Sequence, residues 1–262
     1  MMKNSFEFCF EGNTIKYFTW GDGEEYAVVL QGWATKSELY DGVIGELAKK
    51  YTVLFPALSG FGESDEPDRA FEVGDYARLV NALLEKLGVK KARFFCHSYG
   101  GRVFYKLNAM EDRATTPTMA VLCDTAGIVP KKSLSKRLRI KTYKLGRKIL
   151  ETKLMRFFFP DALEEYRRKN GSADYNSASP VMRATLVRSV NEDLSELIGL
   201  VDCPALVMWG VADDAVPISD AYLIESRIKD SAVIEFKNSG HFPFLTERER
   251  FLAVLRSFFE IN

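Results

Sequence analysis

The sequence predicts an α/β protein: a mostly parallel central sheet flanked by helices, with a helical cap inserted late in the chain. Three observations carry this. Short, nearly continuous apolar runs recur, as strands buried on both faces require. Segments of helical period lie between them, and such alternation builds a parallel sheet with helices on both sides. Between about Gly127 and Val201 the alternation stops and the chain turns helix-rich, without a convincing buried strand.

Taken in order, the opening segments from Phe6 to Phe10 and Thr14 to Trp20 read as a hairpin around Glu11-Gly12-Asn13. Strand-like runs follow at 26–30, 51–55, 92–96, 119–123, 205–209 and 232–236. After Ser37, the positions Leu39, Val43, Ile44, Leu47 and Ala48 keep a helical period. So do Tyr76, Leu79, Val80, Leu83, Leu84 and Leu87 after Asp75, and Gly88 supplies a stop. The first half of this late segment carries Lys131, Lys132, Lys136, Arg137, Arg139, Lys141, Lys144, Arg147, Lys148, Lys153 and Arg156 against the single acid Glu151. Leu134, Leu138, Leu145 and Ile149 fall on one helical side, so the basic residues coat the other. This segment is expected to lie as a cap over the C-terminal edge of the sheet. The core then comprises residues 1–127 and 201–262, and the cap 128–200.

A chain of 262 residues can bury one large α/β core. Lys+Arg and Asp+Glu both total 36, so the net charge is zero and gives no global case for nucleic acid or an anionic membrane. The N-terminus lacks the apolar stretch of a signal peptide. No apolar run reaches the roughly 18–20 residues a bilayer demands. Cys9, Cys96, Cys123 and Cys203 have no metal-ligand spacing, and three of them sit in or beside apolar runs. Free thiols in a reducing compartment, by default the cytoplasm, are expected.

Cys96-His97-Ser98-Tyr99-Gly100-Gly101 joins an apolar strand to a helix-like stretch. A nucleophile on such a sharp turn needs small residues two positions either side, and the helix behind it aims free N–H groups at a developing oxyanion. Ser98 fits that place. A serine hydroxyl needs a base. The chain has two histidines; His97 would point away from its neighbour Ser98, which leaves His241 in Ser239-Gly240-His241-Phe242-Pro243 after the last strand. A third group must hold the imidazole in one tautomer. Asp213 and Asp214 follow the strand ending at Trp209, and Asp124 follows the one ending at Cys123. One of the first pair is the candidate acid, the other a turn or cap aspartate, and Asp124 a weaker substitute. The chain order is Ser, then Asp, then His, each after a strand.

On these residues the sequence resembles the α/β-hydrolase superfamily over almost its whole length, with a helical cap. The resemblance implies the α/β-hydrolase fold and sharpens the site. Trp-Gly-x-x-Asp places the acid on Asp213, and Gly-His-Phe places the base on His241. Gln31-Gly32-Trp33 resembles the segment after the third strand that supplies an oxyanion amide, here the N–H of Trp33, with the N–H of Tyr99 as the second. Gly60-Phe61-Gly62-Glu63-Ser64 resembles a structural turn of the family. Three positions depart from the pattern: Gln31 replaces a histidine, Ala57 a common aspartate, and Cys96 the elbow glycine, where it would crowd the turn. Gln31 could still hydrogen-bond within its loop.

The implied reaction is hydrolysis of a small ester or related acyl bond through an acyl-enzyme on Ser98. Carbon–carbon bond hydrolysis or acyl transfer by the same three residues, and a slow or non-catalytic ligand sensor, are the alternatives. Serine at position 98 argues against dehalogenase and epoxide-hydrolase chemistry, which in this family resembles attack by an aspartate. No metal cluster and no phosphate-cradling loop is present in the sequence, so neither metal nor cofactor is expected. The expected partner is a small-molecule ester, with no nucleic acid and no membrane insertion. Nothing in the sequence sets the oligomeric state.

Overall fold

The computed structural model describes residues 2–129, 134–152, 155, 158–159, 161–170 and 172–261. Of the sequence-based expectations, those on Lys131, Lys132, Lys153 and Arg156 lie outside the described residues. So do those on the side chains of Leu134, Lys136, Arg137, Leu138, Arg139 and Lys141.

The hairpin forms as β1 (Asn4–Phe10) and β2 (Asn13–Trp20). The six apolar runs become β3 (Tyr26–Leu30), β4 (Thr52–Pro56), β5 (Lys91–His97), β6 (Thr116–Cys123), β7 (Ala205–Gly210) and β8 (Ser231–Phe236). They build one eight-stranded sheet in the order β1-β2-β4-β3-β5-β6-β7-β8. Only the pairings of β2 with β1 and β4 are antiparallel. Successive side chains of a strand point to opposite faces. Val28, Leu30, Phe94, Cys96, Leu122 and Val207 therefore enter one apolar cluster, while Ala27, Val29, Phe95, Val121, Cys123 and Met208 enter another across the sheet. Two buried faces explain why these strands read as unbroken apolar runs.

The helices are α1 (Asp41–Leu47), α2 (Val73–Lys86), α3 (Tyr99–Asn108), α4 (Leu134–Leu150), α5 (Ala162–Asn170) and α6 (Ala173–Ser177). After them come α7 (Pro180–Asn191), α8 (Ser195–Ile198), α9 (Ile218–Arg227), α10 (Pro243–Thr246) and α11 (Arg248–Phe258). A 3-10 turn, Ser37–Tyr40, leads into α1. Helix α2 begins before Asp75 rather than after it. Glu72 is its cap, and the Asp75 carboxylate reaches back to accept from the Glu72 N–H at 2.6 Å, a reciprocal capping box. Gly88, at φ +68°, ends the same helix in the left-handed region as expected.

Helices α4 to α8 all lie between β6 and β7. Their attachment is uneven. In α7, the buried Thr185 hydroxyl accepts from the Phe71 N–H at 3.0 Å, and Met182 and Leu186 are buried. In α4, by contrast, Leu145 and Ile149 are 62% and 52% exposed. Of the residues the periodicity put on one side of α4, Leu145 and Ile149 are thus mostly exposed. Contact with α5 runs instead through Tyr143 stacked on Tyr166, ring centroids 5.2 Å apart. Among the described residues, no helix is long and apolar enough to cross a membrane.

Candidate active site

Five parallel strands, β3, β5, β6, β7 and β8, are neighbours in the sheet, and every candidate residue follows the C-terminal end of one of them. Loops at that edge are where open α/β sheets hold ligands. Ser98 comes directly after β5 and caps α3, with φ +50° and ψ −110°, a strained conformation for a residue bearing a Cβ. The strain is held by neighbours on both sides. The Ser98 N–H donates to the Cys123 carbonyl at 3.1 Å, and its own carbonyl accepts from Gly101 at 3.1 Å and Ala126 at 2.9 Å. Only glycine fits at 100, because a Cβ there would lie 2.1 Å from the Leu30 carbonyl oxygen. Cys96 does not crowd the turn. Its side chain points into the apolar cluster shared with Leu30 and Leu122, where burial raises the thiol pKa and leaves it inert.

His241, in the loop between β8 and α10, brings Nε2 to 2.8 Å from Ser98 Oγ and Nδ1 to 2.7 Å from Asp213 Oδ2. The other Asp213 oxygen accepts from the backbone N–H groups of Ala215 at 2.8 Å and Val216 at 3.0 Å. Asp213 is buried, whereas Asp214 is exposed. Since an ionised carboxylate can only accept, the imidazole proton sits on Nδ1 and Nε2 is free to accept from the serine hydroxyl. Burial disfavours the imidazolium, but the Asp213 hydrogen bond and the charges of Asp213, Asp124 and Asp214 outweigh it, so the pKa of His241 stands above its ordinary 6.5. Burial likewise opposes ionisation of Asp213, and the hydrogen bonds from His241, Val216 and Ala215 overcome it; its pKa is lowered.

His97 turns away from Ser98, as the sequence suggested, and does something the sequence did not show. Fully buried, it places Nε2 2.9 Å from the His241 carbonyl and Nδ1 3.0 Å from the Tyr40 hydroxyl. A carbonyl cannot donate, so Nε2 carries the proton and Nδ1 accepts from Tyr40. Burial and the neighbouring His241 push the His97 pKa down to about 3, which keeps that ring neutral. The Tyr40 oxygen in turn accepts from the Gly32 N–H at 2.8 Å. One hydrogen-bonded chain thus links the Gly32 loop to the backbone of His241. The sequence contains no local signal for Tyr40, which lies 57 residues from His97.

The Gly32 loop passes over Ser98: a Cβ on Gly32 would lie 3.5 Å from the Ser98 Cβ. Gln31, buried, steadies that loop by donating from Nε2 to the Thr35 carbonyl at 2.8 Å, the bond its position allowed. Trp33 stands edge-on to Tyr99 at 5.1 Å and to Phe61 at 4.9 Å. Among the described residues, neither the Trp33 N–H nor the Tyr99 N–H donates to a protein acceptor; the latter is the orphan first amide of α3. The Gly60–Ser64 turn is held by the Ser64 hydroxyl, which donates to the Ala57 carbonyl at 2.6 Å and accepts from the Lys16 N–H at 2.8 Å.

Asp124, buried at the end of β6, accepts from the Gly210 N–H at 2.9 Å, and burial raises its pKa to about 7. It does not touch His241 through a hydrogen bond; the Asp213 carboxylate has that place. The donor atoms of Asp124, Asp213 and His241 lie within 4.8 Å of one another, a grouping a metal could use, but those of His241 and Asp213 are already engaged as described. A cavity of about 290 Å³ opens onto Ser98, lined by Trp33, Tyr99 and Arg102 beneath and by Leu186 and Val190 of α7 above. Phe158 and Phe159 are exposed and do not line it. Such an arrangement can pass a proton from a serine hydroxyl to an oriented imidazole beside a partly apolar cavity.

Comparison with known proteins agrees with this architecture. The chain is 24% identical over 264 residues to an uncharacterized protein of Mycobacterium bovis, covering 89% of this chain and 74% of that one. It is equally similar, at 24%, to a pimeloyl-[acyl-carrier protein] methyl ester esterase of Proteus mirabilis, covering 93% of this chain and 95% of that one. The crystal structure of a bromoperoxidase from Bacillus anthracis superposes with a TM-score of 0.75 at 20% identity, covering 99% and 100% of the two chains, a likeness of fold. A family profile described as Alpha/beta hydrolase family matches residues 27–254. The chain belongs to the alpha/beta hydrolase family.

Proposed function

We propose that the protein cleaves a small ester or related acyl bond through an acyl-enzyme formed on Ser98. His241 takes the Ser98 proton as Oγ attacks the carbonyl carbon, and Asp213 holds the imidazole and stabilises its charged form. The backbone N–H groups of Trp33 and Tyr99 receive the oxyanion. The tetrahedral species collapses as His241 returns the proton to the departing alcohol. Water, deprotonated by the same imidazole, then releases the acid and restores Ser98. The observation that carries this is the unbroken chain from Ser98 through His241 to Asp213, with contacts of 2.8 and 2.7 Å. The methyl ester esterase among the relatives supports an ester as the bond attacked. Helices α4 to α8 supply one wall of the cavity through Leu186 and Val190, which supports residues 128–200 as a cap on a core of 1–127 and 201–262. Four free thiols, three of them buried, fit a reducing, cytoplasmic setting.

Turnover of p-nitrophenyl butyrate by wild type and Ser98→Ala tests the assignment. The variant should lose at least about 10³-fold in kcat/KM. A rate within tenfold of wild type removes Ser98 as nucleophile. Labelling of Ser98 by a fluorophosphonate without turnover of a broad ester panel would instead mark a ligand sensor.

A further inference from the structure

Arg102 lines the cavity that opens onto Ser98, and the acyl transfer described above uses none of its donors. The residue is 5% exposed. Its Nη1 donates to the carbonyls of Ser189 and Glu192, both at 2.8 Å, which consumes both protons on that nitrogen. Among the described residues, Nε and Nη2 have no acceptor and no carboxylate pairs with the guanidinium. The nearby Glu192 is held by Lys106 at 2.5 Å. Neither idle nitrogen is sealed from solvent, and Arg102 is a lining residue of the cavity.

The idle atoms form the side edge of the guanidinium, two parallel N–H bonds spaced to meet both oxygens of one carboxylate. A desolvated cation with unused donors is unfavourable until a ligand satisfies it, and burial accordingly lowers the pKa of Arg102. Two acids share the cavity without pairing to Arg102. Asp174 is exposed at the rim, and Asp220, half-buried, makes no ion pair with Arg102. Ser98 and Arg102 stand one helical turn apart on α3, roughly 6 Å along its axis, which makes a short dicarboxylic half-ester the length to test first.

We infer that the cavity takes esters bearing a second, free carboxylate: half-esters of short dicarboxylic acids, with the carboxylate on the Nε–Nη2 edge of Arg102. The inference rests on the proposed role of Ser98. Methyl hexanoate, monomethyl adipate and methyl 6-aminohexanoate differ only at the far end and can be followed in a pH-stat. Monomethyl adipate should exceed methyl hexanoate in kcat/KM by on the order of tenfold or more. Arg102→Met should bring that ratio to about one, and Arg102→Lys, which keeps the charge and loses the fork, should leave it between. Equal use of the two esters, a preference that survives Arg102→Met, or preference for the amino ester would each overturn the site.

Because Arg102 also ties α3 to the 189–192 segment, a measurement on the wild-type protein stands beside the variants. By calorimetry, adipic acid monoamide should bind at least about tenfold more tightly than hexanamide. Equal affinities would overturn the carboxylate site whether or not any ester is turned over. Absence of turnover with the tenfold affinity difference intact would instead count against Ser98 chemistry alone.

Discussion

The C-terminal edge of the sheet and the helices between β6 and β7 are built to different tolerances. At the edge, Ser98 and Asp124 meet backbone groups of other segments, Asp213 is held by two amides of its own loop, and Gly100 lies against the main chain of β3 with no room for a methyl group. In the helical segment, α7 is tied at a few points while α4 leaves Leu145 and Ile149 in solvent. Backbone contacts fix atoms to fractions of an ångström, the scale on which reactivity depends, whereas side-chain contacts on a thinly packed helix can change without moving the reacting atoms. The candidate residues therefore sit on the tightly held edge, while Leu186 and Val190 of the helical segment form part of the cavity wall.

The sharpest test of that division is Asp213→Asn. It preserves size at the edge and reverses the hydrogen-bonding demand on His241 Nδ1, so kcat for an activated ester should fall by about 10³–10⁴. The pH profile adds a sign. His241 must be neutral to accept the serine proton, and the wild-type pKa is raised, so the acid limb of kcat/KM should have its midpoint above 6.5. In Asp213→Asn the charge that raises it is gone, and the midpoint should move down. A variant that keeps wild-type kcat, or a limb that moves up, would show that Asp213 does not orient this base.

A pair of glycine substitutions compares the two regions directly. Gly100→Ala places a methyl group 2.1 Å from the Leu30 carbonyl oxygen, part of a paired strand that cannot retreat, and should cost about 2–3 kcal/mol. Gly146→Ala in α4 meets the Tyr166 hydroxyl at 2.6 Å, a side chain rather than main chain, and the gain in helix propensity offsets part of the contact. Its effect should stay within about 1 kcal/mol. Denaturant melts of both variants measure this. Equal losses would mean that the insert is as rigid as the edge.

A smaller effect is expected from the buried relay. Tyr40→Phe removes the hydroxyl that receives the Gly32 N–H and leaves His97 Nδ1 without a donor, so the Gly32 loop and His241 lose a shared tether. A loss of about tenfold in kcat with KM little changed is expected. His97→Gln, which can still donate to the His241 carbonyl, should lose less than His97→Ala. If Tyr40→Phe and His97→Ala combine additively, the relay does not act as a unit.

How much of this was legible in the sequence follows from what each feature depends on. The strands were legible because burial on both faces leaves few polar positions, Ser98 because it sits on a strand-to-helix turn between small residues, and His241 because the other histidine, His97, adjoins Ser98. The choice between Asp213 and Asp214 was not fixed by the residues alone, since both follow β7; the resemblance picked Asp213, and the fold shows it facing inward onto the Ala215 and Val216 amides. Tyr40 was invisible because a contact 57 residues away has no local pattern. Arg102 could have been found: it stands four residues after Ser98, hence on the same side of α3, in a run otherwise rich in Val103, Phe104 and Tyr105. Periodicity in α4 identified a side but not what covers it, because amphipathicity is a property of one helix and burial is a property of two.

The exposed side of α4 supplies the smallest effect and the closest test of the contrast. Leu145 is 62% exposed, so it contributes little transfer free energy to folding, and a polar side chain there leaves no cavity behind. Leu145→Gln should change stability by no more than about 0.5 kcal/mol, since substitutions at exposed positions remote from caps and ion pairs rarely do more. Glutamine also has nearly the helix propensity of leucine, so the backbone of α4 has no separate reason to respond. At a few kcal/mol the edge glycine would then stand far from the insert leucine on one scale. A melt in which Leu145→Gln loses 2 kcal/mol or more would mean that this side of α4 is covered in solution, and a loss growing as the protein is diluted would identify the cover as a second copy of the chain.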